Sequence, residues 1–208
     1  MNLAESATLY GIIDLGYSTA AQAPEFARQM IEGGVDLVQL RAKALALEPF
    51  AELASKLAPI FREAGIPFIL NDHPELVSNI GASGAHVGQD DISVSEARRL
   101  AGPEAIIGKS THSLSQAIVG AAEADYIGFG PLFATPTKPD YPPIGLEDIR
   151  MAHTQISIPI FCIGGVKLEN LPVILASGAR RVVIVSGLLQ APDLVTYALA
   201  VKKLLSPL

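Results

Sequence analysis

Residues 181–187 read Arg-Val-Val-Ile-Val-Ser-Gly, a short run of β-branched residues that ends in a serine and a glycine. Runs of this kind, rich in valine and isoleucine, recur along the whole chain. A near-continuous apolar run is typical of a strand in a parallel sheet whose outer face is covered by helices. We predict eight such strands, at residues 9–14, 35–41, 67–72, 84–89, 105–110, 126–132, 159–165 and 181–187.

The segments between these runs have helical spacing. Apolar residues fall on one stripe in residues 48–63 and again in residues 194–205. Ser93 and Ser113 stand where helix N-caps are expected, and Glu96 has the spacing of a capping box. Eight β/α pairs at roughly 25 residues each predict a (β/α)8 TIM barrel, an α/β fold. We expect residues 1–208 to form this barrel as a single domain, with a doubly wound open sheet as the alternative.

The composition restricts the class of protein. Half of the 208 residues are apolar, and the formal net charge of −6 gives little electrostatic support for nucleic-acid binding. Cys162 is the one cysteine, so no internal disulfide forms, which suits a reducing compartment. The sequence has neither a membrane-spanning apolar segment nor the features of a signal peptide. We therefore expect a soluble, cytoplasmic protein.

Polar residues gather where the predicted strands end, which is where barrels of this class carry their active sites. Asp72 and Asp91 follow the third and fourth strands, and their oxygens are suitable ligands for Mg²⁺. Arg41, Lys43 and Lys138 come from the ends of the second and sixth strands, and such cations bind phosphate oxygens. A metal with several cations predicts a diphosphate site. The alternative is that the two aspartates only cap the helices that follow them.

Glycines follow the last two strands. Gly164 and Gly165 end the seventh, and Ser186 and Gly187 end the eighth. Loops at these positions of TIM barrels often bind a phosphate through backbone N–H groups, although tight turns need glycine as well. We predict a second, monophosphate site here.

The longest connection, residues 134–145, contains four prolines that exclude a regular helix, so it is a candidate active-site loop. Histidines are weaker candidates. We interpret His73, His86 and His153 as structural from their places at a helix start, in a strand and in a helix. The role of His112, which follows the fifth strand, stays open, and Cys162 is not expected to be a nucleophile.

Several motifs together identify a family. The chain resembles the thiamine phosphate synthases over essentially its full length. The motifs that carry the resemblance are Gln39-Leu-Arg-Ala-Lys43, Asn71-Asp72, His86-Val-Gly-Gln-Asp-Asp91, Gly108-Lys-Ser-Thr-His-Ser113, Ala124-Asp-Tyr-Ile-Gly-Phe-Gly-Pro-Leu-Phe133, Thr135-Pro-Thr-Lys138, Gly145-Leu-Glu147, Ile163-Gly-Gly165 and Val185-Ser186.

This resemblance implies a reaction and a set of site residues. The family joins a hydroxymethylpyrimidine diphosphate to a thiazole phosphate, giving thiamine phosphate and diphosphate by a dissociative substitution. The resemblance places Mg²⁺ on Asp72 and Asp91. It assigns the diphosphate to Arg41, Lys43, Asn71 and Lys138, and the pyrimidine side of the site to Gln39 and Ser110. Thr135 and Thr137 would line the loop near the reacting groups, and Gly165, Val185 and Ser186 would bind the thiazole phosphate. Arg41, Lys43, Ser110 and Lys138 are the predicted catalytic residues.

Two other functions compete with this interpretation. A thiazole tautomerase shares the barrel but would call for histidine where Pro131 stands, and it lacks the diphosphate-binding residues. A non-catalytic barrel that binds a thiazole or pyrimidine phosphate would leave those residues unexplained. Departures from the family pattern are Lys109, where a small or apolar residue is usual, and Gly187, where alanine is common. The partners are expected to be small molecules, and a homodimer is left open.

Overall fold

Eight parallel strands close into a barrel in chain order in the computed structural model, which describes residues 7–135 and 142–206. The strands are β1 (Leu9–Asp14), β2 (Leu37–Arg41), β3 (Phe68–Asn71), β4 (Gly84–Val87), β5 (Ile106–Thr111), β6 (Tyr126–Phe129), β7 (Ile160–Cys162) and β8 (Val182–Ile184). The first strand pairs with both β2 and β8. The predicted TIM barrel is confirmed, and the alternative of an open sheet is wrong because this pairing leaves no edge.

Helices on the outside of the barrel connect the strands. They are α1 (Ala23–Glu32), α2 (Leu47–Ala64), a 3-10 turn (Pro74–Leu76), α3 (Val77–Ile80), α4 (Val94–Ala101), α5 (Leu114–Gly120), α6 (Ile149–Gln155), α7 (Leu171–Ala176), α8 (Ser186–Leu189) and α9 (Leu194–Leu205). Helix α9 has its predicted bounds, and α2 exceeds its predicted range by one residue at each end. None of the helices that the structure describes is long and apolar enough to cross a membrane.

The predicted ends of the last two strands are wrong. Strand β7 ends at Cys162, and Gly164 and Gly165 have φ angles of 95° and 67°, in the left-handed region that glycine adopts without strain. Strand β8 ends at Ile184, and Ser186 begins α8. An apolar run continues past the last strand hydrogen bond here because the loop residues remain partly buried, so the run alone does not locate the end.

The helix caps are local features that the sequence predicts well. The hydroxyl oxygen of Ser93 accepts the backbone N–H of Glu96, and that of Ser113 accepts the N–H of Gln116. The capping box is only half formed, because the Glu96 carboxylate accepts two hydrogen bonds from Arg99 instead.

Two layers of apolar side chains form the core. The larger lies between the barrel and the helices, and the smaller fills the barrel interior. In the interior, Tyr10, Tyr126 and Phe161 pack edge to face with ring centroids 5.3–5.8 Å apart. Edge-to-face contact suits the positive edge and negative face of aromatic rings. These three rings form one layer inside the barrel, and Tyr10 also lines the cavity described next.

Candidate active site

A cavity opens at the end of the barrel where the strands finish. It is lined by residues of the strand ends and of the loops that follow them. Eight of the site residues predicted from sequence line it: Gln39, Arg41, Asn71, Ser110, Thr135, Gly165, Val185 and Ser186. The barrel thus brings together side chains that are far apart in the sequence, since all its strands point the same way.

The three remaining described candidates lie in one cluster next to Asn71. The Lys43 ammonium is 2.7 Å from a carboxylate oxygen of Asp72, and the carboxyl groups of Asp72 and Asp91 are in contact with each other. Thr137 and Lys138 lie outside the described residues, so their roles stay predictions.

Asp72 and Asp91 are not helix caps. Helix α4 is capped by Ser93, and the 3-10 turn after β3 begins beyond His73. Asp91 instead accepts the backbone N–H of Gly88 at 2.6 Å. Asp72 adopts a φ of 63°, which is uncommon for a residue other than glycine. Backbone held in such a conformation is often found at functional sites.

Charges around Asp91 favour its ionised form. Partial burial raises the pKa of this carboxyl, whereas the Gly88 N–H and the contact with Asp72 lower it. The ammonium groups of Lys43 and Lys109 lower it further, so the pKa of Asp91 lies below its usual range. An ionised carboxylate is the form that binds a divalent cation.

The donor set fits Mg²⁺ but does not form a complete cage. Among the described residues no group of three or more histidine, cysteine, aspartate or glutamate side chains could hold a metal ion. Mg²⁺ is commonly held by one or two carboxylates together with substrate phosphates and waters. Asp72 and Asp91, in mutual contact beside the cavity, suit that second arrangement.

Arg41 is held by a partner that the sequence did not indicate. Its guanidinium Nη1 is 2.8 Å from Oδ2 of Asp14, which is almost fully buried at the end of β1. Register explains the contact, because Asp14 and Arg41 are paired residues of adjacent strands. The ion pair fixes one predicted phosphate-binding cation at the cavity wall.

The opposite wall of the cavity is formed by the loops after β7 and β8. Gly164, Gly165, Val185 and Ser186 lie here. A Cβ atom at Gly164 would come within 2.4 Å of the Pro131 backbone. Glycine is therefore required at this position both by the close approach of the two loops and by its positive φ.

His86, for which the sequence predicts a structural role, lines the cavity. Its ring contacts the hydroxyls of Tyr126 and Ser110 at 3.0 and 2.9 Å. His112 also lines the cavity, with Nδ1 hydrogen-bonded to the carbonyl of Gly130. The sequence contains a signal for His86, because alternate residues of a strand face the same side and His86 precedes the loop to Asp91.

The other two histidines and the cysteine are not among the residues that line the cavity. His153 is in α6, as predicted, and His73 precedes the 3-10 turn and contacts Glu75. Burial raises the pKa of the Cys162 thiol to about 12, so the thiolate is not available near neutral pH.

A closed parallel barrel, with a cavity that includes polar side chains at the carboxyl ends of its strands, defines a TIM-barrel enzyme. Comparison with known proteins gives the particular kind. The thiamine monophosphate synthase family model matches residues 9–188. The chain is 39% identical over 204 residues to the thiamine-phosphate synthase of Pelotomaculum thermopropionicum, covering 96% of this chain and 93% of that protein. It is 43% identical over 166 residues to the Thermus thermophilus enzyme of the same name, covering 78% and 79% of the two chains.

A solved structure agrees. Thiamine phosphate pyrophosphorylase from Pyrococcus furiosus superposes with a TM-score of 0.89 at 29% identity, covering 98% of each chain. A more distant structure, a 3-hexulose-6-phosphate synthase, shares the fold with a TM-score of 0.71 at 18% identity. The chain therefore belongs to the thiamine monophosphate synthase family, and it is an enzyme of that family.

Proposed function

We propose that this enzyme joins 4-amino-2-methyl-5-hydroxymethylpyrimidine diphosphate to 4-methyl-5-(2-phosphoethyl)thiazole, or its carboxylated form, to give thiamine phosphate. Diphosphate is released, and the carboxylated form releases CO₂ as well. The observation that supports these substrates most is that one cavity contains the residues predicted for both substrates. Gln39 and Ser110 lie in the same cavity as Gly165 and Ser186, so a ring and a phosphate group can be bound together. The cluster of Lys43, Asp72 and Asp91 lies beside it for the diphosphate.

The residues present fit Mg²⁺, which Asp72 and Asp91 would hold. When bound, Mg²⁺ would neutralise the negative charge that grows on the diphosphate as the C–O bond breaks. Lys43 forms an ion pair with Asp72 in the structure. Its ammonium group therefore lies next to the proposed metal site, where it would also bind diphosphate oxygens.

The chain's own groups would do most of the positioning. Arg41, fixed by Asp14, would bind one end of the diphosphate, and Asn71 would donate hydrogen bonds beside it. Lys138 would add a further cation from the proline-rich loop. Holding the thiazole nitrogen close to the pyrimidine CH₂ would supply a large part of the rate, because a bimolecular capture becomes effectively unimolecular.

Product formation tests the proposal. The protein is incubated with both substrates and Mg²⁺, and thiamine phosphate and diphosphate are measured together. We expect the two products in equal amounts and no reaction when either substrate is left out. Interconversion of thiazole isomers without release of diphosphate would instead indicate a tautomerase and overturn the proposal. We further expect the enzyme to act in the cytoplasm as a single domain.

A further inference from the structure

A buried chain of hydrogen bonds crosses the barrel interior below the cavity. It runs from Gln39 through Tyr10, Tyr126 and His86 to Ser110, with each residue on a different strand. Donor and acceptor atoms are 2.5 Å apart at Gln39–Tyr10, 2.9 Å between the two phenols, 3.0 Å at Tyr126–His86 and 2.9 Å at His86–Ser110. Gln39 and Ser110, at the two ends of the chain, line the cavity, and Tyr126 in the middle is fully buried.

The number of available protons determines which group is the donor in each of these hydrogen bonds. Burial raises the pKa of both phenols, so each hydroxyl keeps one proton to donate. The Gln39 Nε2 amide can only donate, and Tyr10 accepts from it. Among the residues that the structure describes, the hydrogen-bond partners of the Tyr10 hydroxyl are Gln39 and Tyr126, so its proton goes to Tyr126.

The remaining steps follow in order. The Tyr126 hydroxyl accepts from Tyr10, so its own single proton is donated to its other hydrogen-bond partner, Nδ1 of His86. A neutral imidazole with an acceptor at Nδ1 carries its proton on Nε2 and donates it to the Ser110 oxygen. The Ser110 proton is then left to donate to a ligand, and Gln39 has its carbonyl oxygen left to accept from one.

We propose that Tyr10, Tyr126 and His86 are positioning residues that fix the hydrogen-bond polarity of the cavity. Gln39 is held as an acceptor and Ser110 as a donor. A ring with an amino substituent and a ring nitrogen offers the complementary pair, one N–H donor and one lone-pair acceptor. The identity of that ring as an aminopyrimidine rests on the proposed function, whereas the polarity of the chain does not.

The histidine tautomer tests the polarity without any substrate. The ¹⁵N shifts of the His86 ring in the full-length, ligand-free protein distinguish a protonated from an unprotonated nitrogen, with assignment by His86→Gln. We expect the proton on Nε2 in the wild type and a mixture of tautomers in Tyr126→Phe, which keeps the ring but loses the hydroxyl. A proton on Nδ1 in the wild type, or unchanged shifts in Tyr126→Phe, would overturn the proposal even if the enzyme makes thiamine phosphate.

Kinetics provide the second readout. Tyr126→Phe should raise the KM for the pyrimidine diphosphate by roughly two- to tenfold, the range expected for loss of one hydrogen bond, and leave the KM for the thiazole phosphate unchanged. Phe161→Leu is the matched control, because Phe161 packs in the same aromatic layer but carries no hydroxyl. Equal effects of the two variants on both KM values would mean that Tyr126 acts by packing alone. If Tyr126→Phe does not fold, Tyr10→Phe interrupts the same series of hydrogen bonds at the preceding hydroxyl. The same ¹⁵N shifts and KM values then test the proposal.

Discussion

The Arg41 guanidinium and the Asp14 carboxylate form an ion pair with an Nη1–Oδ2 distance of 2.8 Å, and the side chains are 17% and 2% exposed. Removing charges of this kind from water is costly, so the pair depends on both partners being present. The pair lies at the cavity wall and not in the hydrophobic core, which indicates a role in binding.

Asp14→Ala should therefore affect both stability and binding. The unpaired Arg41 charge should lower the free energy of unfolding by roughly 3 kcal/mol, as for other broken buried pairs. It should also raise the KM for the pyrimidine diphosphate, because the guanidinium is no longer held in place. Urea unfolding and steady-state kinetics measure the two effects. The double variant Asp14→Ala/Arg41→Ala should lose less stability than the sum of the single variants, and additive losses would contradict the coupling.

Asp91→Ala should lower kcat by on the order of 10²–10³, the cost of removing one electrostatic stabiliser of a developing oxyanion. The fold-reduction in kcat of the double variant Asp72→Ala/Asp91→Ala should be far smaller than the product of the two single reductions, since both carboxylates would hold one metal ion. Titration with Mn²⁺ should show weaker binding in either variant. Asp90→Ala is the control, because Asp90 is exposed and its substitution removes the same charge one residue away. Full activity of Asp91→Ala without Mg²⁺ would rule out the metal site.

Ser186→Ala tests the proposed monophosphate side. Loss of a hydroxyl that bonds a charged phosphate should raise the KM for the thiazole phosphate by roughly tenfold. The KM for the pyrimidine diphosphate should stay the same, because that substrate binds at the opposite wall. Ser177→Ala, outside the cavity, should change neither value. A variant at Gly165 is less suitable, since a Cβ there would meet Phe133 at 2.8 Å and φ is 67°.

His153 should make the protein sensitive to acid. Burial, with Arg180 and Arg181 nearby, lowers the pKa of His153 from 6.5 to about 4. Between these values the unfolded chain binds a proton that the folded protein does not, so stability is present above pH 6.5 and is lost as pH falls toward 4. His153→Gln should flatten this part of the curve of unfolding free energy against pH. An identical curve for the wild type and the variant would show that His153 does not contribute.

The sequence by itself predicts most of the fold. Residues 9–14 and 194–205 match their strand and helix in full, because hydrophobic periodicity and capping act between neighbours in the chain. Ser93 and Ser113 cap their helices for the same reason. Polar residues placed just after apolar runs also predict which side chains line the cavity, since every parallel strand of a barrel delivers its end to one face.

Contacts between distant strands were decided only by the tertiary structure. Asp14 meets Arg41 across 27 residues of sequence, and Tyr10 meets Tyr126 across 116. Such pairs depend on the register of the closed sheet and on which side chains face inward, which no local pattern specifies. The same holds for His86, since its position in an apolar strand does not reveal that the closed barrel places it between Tyr126 and Ser110. Local physics thus determined the elements and the face that carries the site, whereas closure of the barrel determined which polar groups touch one another.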